Sequence, residues 1–473
     1  MSVVVPRAQA PQGVMEQMRA VPGLDVDHFA EECSTAIDAL EIAAHLESAG
    51  VSNHVVRHAI DRPDVFALAD DLYAAIPSRS GRDPTGKVLR RGAPRDLLRG
   101  AGFAIPTLLF IVAVEGLRLH PAWWMLPVTL IVGWALGQGA TSVLYLLRDG
   151  DEPGAEAAVS GWLPIAAVAG TGVVAFAARG FMGGDVLDVA VATLLVAYMV
   201  GTGVLFTLRE ERLILRALVP GALAMAALPW HTTIILTRSA AGWAAVASIT
   251  ATVVLASRRL SSPVRAFARL GRSDVLTVAR YMVAGGCSGA VVALIVVAGR
   301  QSGAPGGGGV FASLPLILSL GVMEWQFRTF RWRAASLATS CGDVAEFSAR
   351  VWAAFGRALA SYCLALGALS ALDAAVAAAV YPTVPVMLLA AQAVLGVAYF
   401  TGLVVGSCSR VDLVLAAWAG SLASALCCVA LGWIASGRVA DSTLRMAAMT
   451  AAFVAAGCLV VVARRVVRTP LSY

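Results

Sequence analysis

The sequence predicts an all-α, polytopic helical membrane protein with about twelve transmembrane helices and a small helical N-terminal region. Three observations predict it. The chain of 473 residues is 58% hydrophobic, with a mean hydropathy of +0.76 and only 14% charged residues. A soluble chain of this length needs a charged skin and cannot leave long apolar runs uncovered. About a dozen such runs recur, several reaching ~18 residues without a charge, where barrel strands would alternate polar and apolar residues in segments of about ten. The arginines, finally, collect on alternate sides of these runs.

From the N-terminus, residues 1–24 read as a disordered tail. Pro6, Pro11, Glu16 and Arg19 interrupt any apolar core, so no signal peptide is expected. Residues 25–77 read as a small acidic helical cytoplasmic unit, with eleven acidic residues and two arginines between 25 and 75. Phe29, Ile37, Leu40, Ala44 and Leu46 recur at helical spacing, Gly50 is a stop and Ser52 a cap. A further helix holds Val65, Phe66, Leu68, Ala69, Leu72 and Tyr73 and ends at Pro77. Residues 78–100 form a basic linker with seven basic and two acidic residues, suited to anionic lipid headgroups. The expected spans are 101–117, 122–146, 157–178, 185–208, 213–236, 240–256, 281–299, 308–325, 352–376, 383–407, 411–435 and 445–463. Residues 334–351 read as a helical link, and 299–310, "GRQSGAPGGGGV", as a flexible one.

Arginine placement orients the map. With the N-terminus inside, the other cytoplasmic segments and adjoining helix ends hold 19 basic residues, and the extracytoplasmic ones hold six: Arg118, Arg179, Arg238, Arg300, Arg438 and Arg445. That bias predicts a cell-membrane protein with both termini cytoplasmic. Topology thus accounts for the net charge of +6, and no nucleic-acid partner is expected, since no zinc-finger or RNA-binding motif accompanies it. The basic loop 257–274 divides the spans into a first half, 101–280, and a second half, 281–473.

Polar side chains inside spans are the candidate sites, because lipid makes them costly. Glu115 near the end of the first span and His231 in the fifth are candidates for coupling. Gln138 lies among Gly133, Gly137 and Gly139, which permit close helix approach or a break beside a cavity. Gln392 and Asp373 are further polar positions in the tenth and ninth spans. "GVMEWQFRTFRWR", residues 321–333, ends the eighth span with Glu324, Arg328 and Arg331 among Trp325, Phe327, Phe330 and Trp332. Trp prefers headgroup depth, and Glu324 and Arg328 share a helix face. The stretch reads as an interfacial belt, or as a gate or contact for an anionic headgroup that binds substrate through Glu324, Arg328 and Arg331.

No catalytic set is expected. There is no CxxC, HExxH, nucleophile elbow, Walker lysine or cofactor fingerprint, so no metal and no cofactor is predicted. The eight cysteines read as small buried hydrophobes.

Twelve short-looped spans divided six and six resemble the major facilitator superfamily and the oligosaccharide-lipid and polysaccharide exporter group. "RDGDEPG", residues 148–154, departs from the facilitators' motif between spans two and three. The aromatic, arginine-rich region from Glu324 to Arg357 resembles polysaccharide exporters of the second group. That resemblance implies a flippase moving a lipid-linked saccharide or polymer. "HLESAGVSNHVVRHAIDRPDVFALADDLY", residues 45–73, resembles a module that precedes membrane regions in actinobacterial proteins, and residues 25–77 are expected to offer a surface to a protein partner. The competing expectation is a non-catalytic membrane scaffold or signalling protein.

Overall fold

The computed structural model describes Met18, most of residues 39–75, isolated positions from 100 to 117, Ala268, and residues 122–148, 154–227, 235–258, 270–300, 314–341, 344–380, 386–408 and 410–467. All of the expected tail but Met18, most of the basic linker and most of the loops 257–274 and 299–310 lie outside these residues; Met18 itself is helical and buried, not part of a loose tail.

Three short helices, α1 (Ala39–Ser48), α2 (Asn53–Ala59) and α3 (Val65–Ala75), form the N-terminal unit. Its core gathers Ile42, Leu46, Val56, Ile60, Leu68 and Leu72, with Met18 added. Helix α1 ends at Ser48, and Gly50, the expected stop, lies outside the described residues. Asp64 caps α3, its carboxylate accepting the Ala67 N–H at 2.8 Å. Asn53 Oδ1 accepts the Val65 N–H at 2.8 Å, and Arg62 pairs with Asp71 at 2.5 Å. These bonds tie residues 62–64 across the unit.

The membrane region is all-helical among the described residues: α4 (Met125–Arg148), α5 (Ala155–Ser160), α6 (Trp162–Met182), α7 (Val186–Thr207), α8 (Glu211–Ala227), α9 (Ile235–Ser257), α10 (Arg272–Arg300), α11 (Leu314–Ser340), α12 (Val344–Val380), α13 (Val386–Ser407), α14 (Val411–Ser436) and α15 (Asp441–Val466). Nine helical segments of these residues are long and apolar enough to cross a membrane. The remaining expected spans are helical too: α8, with Pro220 inside it, α11, and positions 102, 105, 106, 108–110 and 112–114 of the first. Backbone groups have no water to bond in lipid, so each span closes its own ladder as a helix.

Two boundaries differ from the sequence reading. No separate helix fills 334–351; α11 runs on to Ser340 and α12 starts at Val344. Phe330, Ala334, Phe347, Val351 and Phe355 share one core, so the apolar stripe outlasts the membrane-length segment and both helices continue along it. Residue Arg209, at φ 61°, ends α7 and turns the chain into α8 without a glycine.

The helices pack in two bundles. The first contains α4–α9 and the described positions of the first span; the second contains α10–α15. Within the second, Ser319 Oγ meets Tyr362 OH at 3.0 Å, Gln326 donates to Ser361 at 3.0 Å, and Ser421 donates to the Ala451 carbonyl at 2.7 Å. Within the first, Tyr198 OH donates to the Gly102 carbonyl at 2.5 Å, and Ser248 accepts the Gly221 N–H at 2.9 Å. In chain order, Arg148, Arg209, Arg258, Arg272, Arg350, Arg410 and Arg464 fall at or beside one alternating set of helix ends, and Arg179, Arg438 and Arg445 at the other.

At that opposite end a polar knot joins α4 to the turn before α7. Asp188 accepts the N–H of Ala122 at 3.0 Å and of Asp185 at 2.9 Å, and Trp124 Nε1 donates to the Gly183 carbonyl at 2.7 Å. Gly184, at φ 112°, leaves no room for a side chain: a Cβ would stand 2.8 Å from Asp188 Oδ2 and 3.1 Å from Ala122 Cβ.

Candidate functional site between the two bundles

Among the described residues, two lines of close contact run between the bundles. The longer runs between α4 and α10. A Cβ on Gly289 would stand 2.6 Å from the Leu130 carbonyl oxygen, and one on Gly285 2.6 Å from the Trp134 carbonyl oxygen. One on Gly286 would lie 3.7 Å from Ala135 Cβ, and one on Gly139 2.5 Å from Met282 Cγ. The pairs 130/289, 134/285, 135/286 and 139/282 descend one helix as they ascend the other, so the two are antiparallel. Val143 and Leu147 continue the line against Leu270 and Val278. Glycine faces let the helices approach backbone to backbone.

Trp134 also reaches past α10. Its ring lies 4.8 Å from that of Tyr399 on α13, which in turn lies 4.9 Å from Trp418 on α14. Tyr399 OH donates to the Ser288 carbonyl at 3.2 Å. Leu130 and Trp134 are thus built into the apolar core of the second bundle.

Gln138 stands one turn from Trp134, towards the arginine-rich end. A Cβ on Gly285 would lie 2.9 Å from Gln138 Cγ, so this side chain reaches the second bundle, yet it is exposed. It makes no hydrogen bond among the described residues. Tyr145, two turns further on the same face, is exposed as well. An exposed amide and an exposed phenol therefore border the α4–α10 contact.

The shorter contact joins the residue at the entry to the first span, Gly100, to α11. A Cβ on Gly100 would lie 2.5 Å from Gly321 Cα. At about 100° per residue, Glu324, Arg328 and Arg331 fall within about 80° of the direction of Gly321. All three therefore occupy the side of α11 turned to the first bundle. Glu324 and Arg328 form an i,i+4 pair at 4.0 Å, each about one-third exposed, and Arg331 and Trp332 are exposed. The opposite side of α11 is closed by Gln326 on Ser361 and by Phe330, whose ring is 5.8 Å from that of Phe355.

The expected site residues thus divide. Glu324, Arg328 and Arg331 share one face, and Gln138 lies on the facing bundle with no bond to them among the described residues. Glu115 and His231 lie outside the described residues. Gln392 is fully buried in α13, and Asp373 is half-buried on α12. The sequence reading passed over Gly285 and Gly289, whose small-xxx-small spacing was the available signal, and over Trp134 and Tyr399, for which there was none. Among the described residues no three His, Cys, Asp or Glu side chains are grouped as a metal site would require.

No family model and no curated protein matches the sequence. Solved structures do match in fold. A Vibrio cholerae MATE transporter in its bent form aligns at a TM-score of 0.50 and 14% identity, over 81% of this chain and 97% of that one. A MATE protein in a bent conformation gives 0.48 and 14%, over 82% and 96%. An outward-facing multidrug resistance MATE family transporter of the MOP superfamily gives 0.47 and 14%, over 81% and 96%. The first likeness places this chain among all-α polytopic membrane folds with the arrangement of that transporter.

Proposed function

We propose that the chain is a secondary transporter that moves its substrate between the two helical bundles. The observation that carries this reading is the set of polar side chains bordering the inter-bundle contacts: exposed Gln138 and Tyr145 on α4, and partly exposed Glu324 and Arg328 with exposed Arg331 on the Gly321 side of α11. Polar side chains at membrane depth are costly in lipid and are kept where they meet water or substrate. The fold shared with a MATE transporter supports the same reading.

The proposed substrate is a lipid-linked saccharide, carried by flipping. Arg328 and Arg331 stand beside Trp325 and Trp332 on the inter-bundle side of α11, a combination suited to a diphosphate and the sugar behind it. The arginine-rich end is assigned to the cytoplasm, with both termini there and the protein in the cell membrane. Glu115 and His231 are assigned to coupling, and the unit 25–77 to a protein partner. The compact core of α1–α3 also supports the second reading, a membrane scaffold that displays this unit.

The test is reconstitution into vesicles carrying a fluorescent polyprenyl-diphosphate sugar, read by quenching from outside. Transport predicts faster loss of inner-leaflet label than in protein-free vesicles, and slower loss with Arg328→Ala/Arg331→Ala. Rates equal to protein-free vesicles, from folded protein, contradict the flippase reading. A rate unaltered by the double substitution contradicts the assigned headgroup contact.

A further inference from the structure

We propose that α4 and α10 form a permanently closed seam, and that the two bundles turn about it without parting along it. This rests on the transport reading above. The contact spans residues 130–147 of α4, about 26 Å at 1.5 Å per residue, which is most of a bilayer's apolar depth. It interlocks in both directions: Gly285 and Gly289 admit the backbone of α4, while Gly139 admits Met282 of α10. Parting it would bare the Leu130 and Trp134 carbonyl edges and the glycine faces, and would open an apolar line of Ala135, Val143, Leu147, Leu270 and Val278. Close-packed surfaces of this kind switch between discrete arrangements or stay shut; they do not stretch.

The helix α10 is also committed to both sides. Its Val291, Ile295 and Ala298 are buried in the second bundle while its other face lies on α4. Trp134 meets Tyr399 through ring faces tilted by 48°, a contact that tolerates rotation better than a directional bond. The other joint is built differently. Gly100 and Gly321 meet closely, but Glu324, Arg328 and Arg331 flank them half-exposed or exposed. Charged, partly solvated flanks separate at far lower cost than a close-packed glycine seam.

The test uses the full chain with its eight native cysteines replaced, in lipid nanodiscs. Spin labels at Tyr145→Cys and Leu276→Cys, both exposed, flank the seam. Labels at Arg212→Cys and Arg350→Cys, both exposed, lie in different bundles away from it. Electron-resonance distances are measured at acidic and neutral pH, with and without sodium. The seam predicts one narrow distance for the first pair in every condition and two populations for the second. Two populations at the first pair overturn the seam and leave transport standing. A single distance at both pairs in every condition overturns the turning motion and the transport reading together.

Discussion

The carboxylate of Asp188 accepts a hydrogen bond from the backbone amide of Ala122, 66 residues earlier in the chain, at 3.0 Å. Its other oxygen holds the Asp185 amide at 2.9 Å, so one buried side chain closes both the start of α7 and the entry to α4. Replacing it by alanine leaves two amides without their acceptor. Asp188→Ala should lower stability by roughly 2–4 kcal/mol, since bonds to charged groups contribute ~1.5–3 kcal/mol each and do not add fully. Thermal unfolding in detergent checks this. An unshifted midpoint would mean the knot carries no stability.

The glycines of α10 and α4 separate into tight and open positions. Gly289→Val forces a side chain against the Leu130 carbonyl, and Gly285→Val against that of Trp134. Overpacking of this kind costs roughly 1–3 kcal/mol or more where the obstacle is backbone. A Cβ on Gly137, in contrast, meets nothing within 4 Å. Gly137→Ala should therefore be neutral or slightly stabilising in the same melting experiment, through helix propensity of about 1 kcal/mol at most.

Ala135 and Gly286 offer a crosslink. Their Cβ positions lie 3.7 Å apart, close to the ~3.8 Å mean of a disulfide. Ala135→Cys/Gly286→Cys should oxidise readily in an otherwise cysteine-free chain, and oxidised protein should keep the transport rate of reduced protein. Loss of transport on oxidation, regained on reduction, would show that α4 and α10 must part.

The Glu324–Arg328 pair is partly exposed, long at 4.0 Å, and weak as a source of stability. An exposed i,i+4 pair contributes ~0.3–0.5 kcal/mol. Glu324→Gln should thus leave the melting temperature nearly unchanged while altering transport, because the substitution removes the carboxylate charge beside Arg328 on the Gly321 face of α11. Equal stability with equal transport would remove this pair from the path.

Much of this architecture is legible in the sequence, for a physical reason. Lipid demands long apolar helices, so composition alone marks segments such as 186–207 and 386–407. Glu324, Arg328 and Arg331 can be placed on one helix face from spacing, and Gly321, which shows where that face points, is four residues before Trp325. What faces them cannot be read. Gly321 meets Gly100, and Gly285 meets Trp134, through contacts 221 and 151 residues apart in sequence, which no local period encodes. The same holds for Trp134 on Tyr399. The spacing of Gly285 and Gly289 advertises a close helix partner without naming α4.

The most direct measurement concerns water beside Gln138. In a cysteine-free chain in native-like lipid, Gln138→Cys and Val173→Cys are treated with a charged, water-soluble maleimide. Val173, 72% exposed on α6, lies on an apolar outer face and serves as the lipid-facing reference. A path between the bundles predicts rapid modification at position 138 and almost none at 173. Position 138 reacting as slowly as 173 would contradict the account, because its amide would then face lipid or packed helix and no aqueous route would run beside α4.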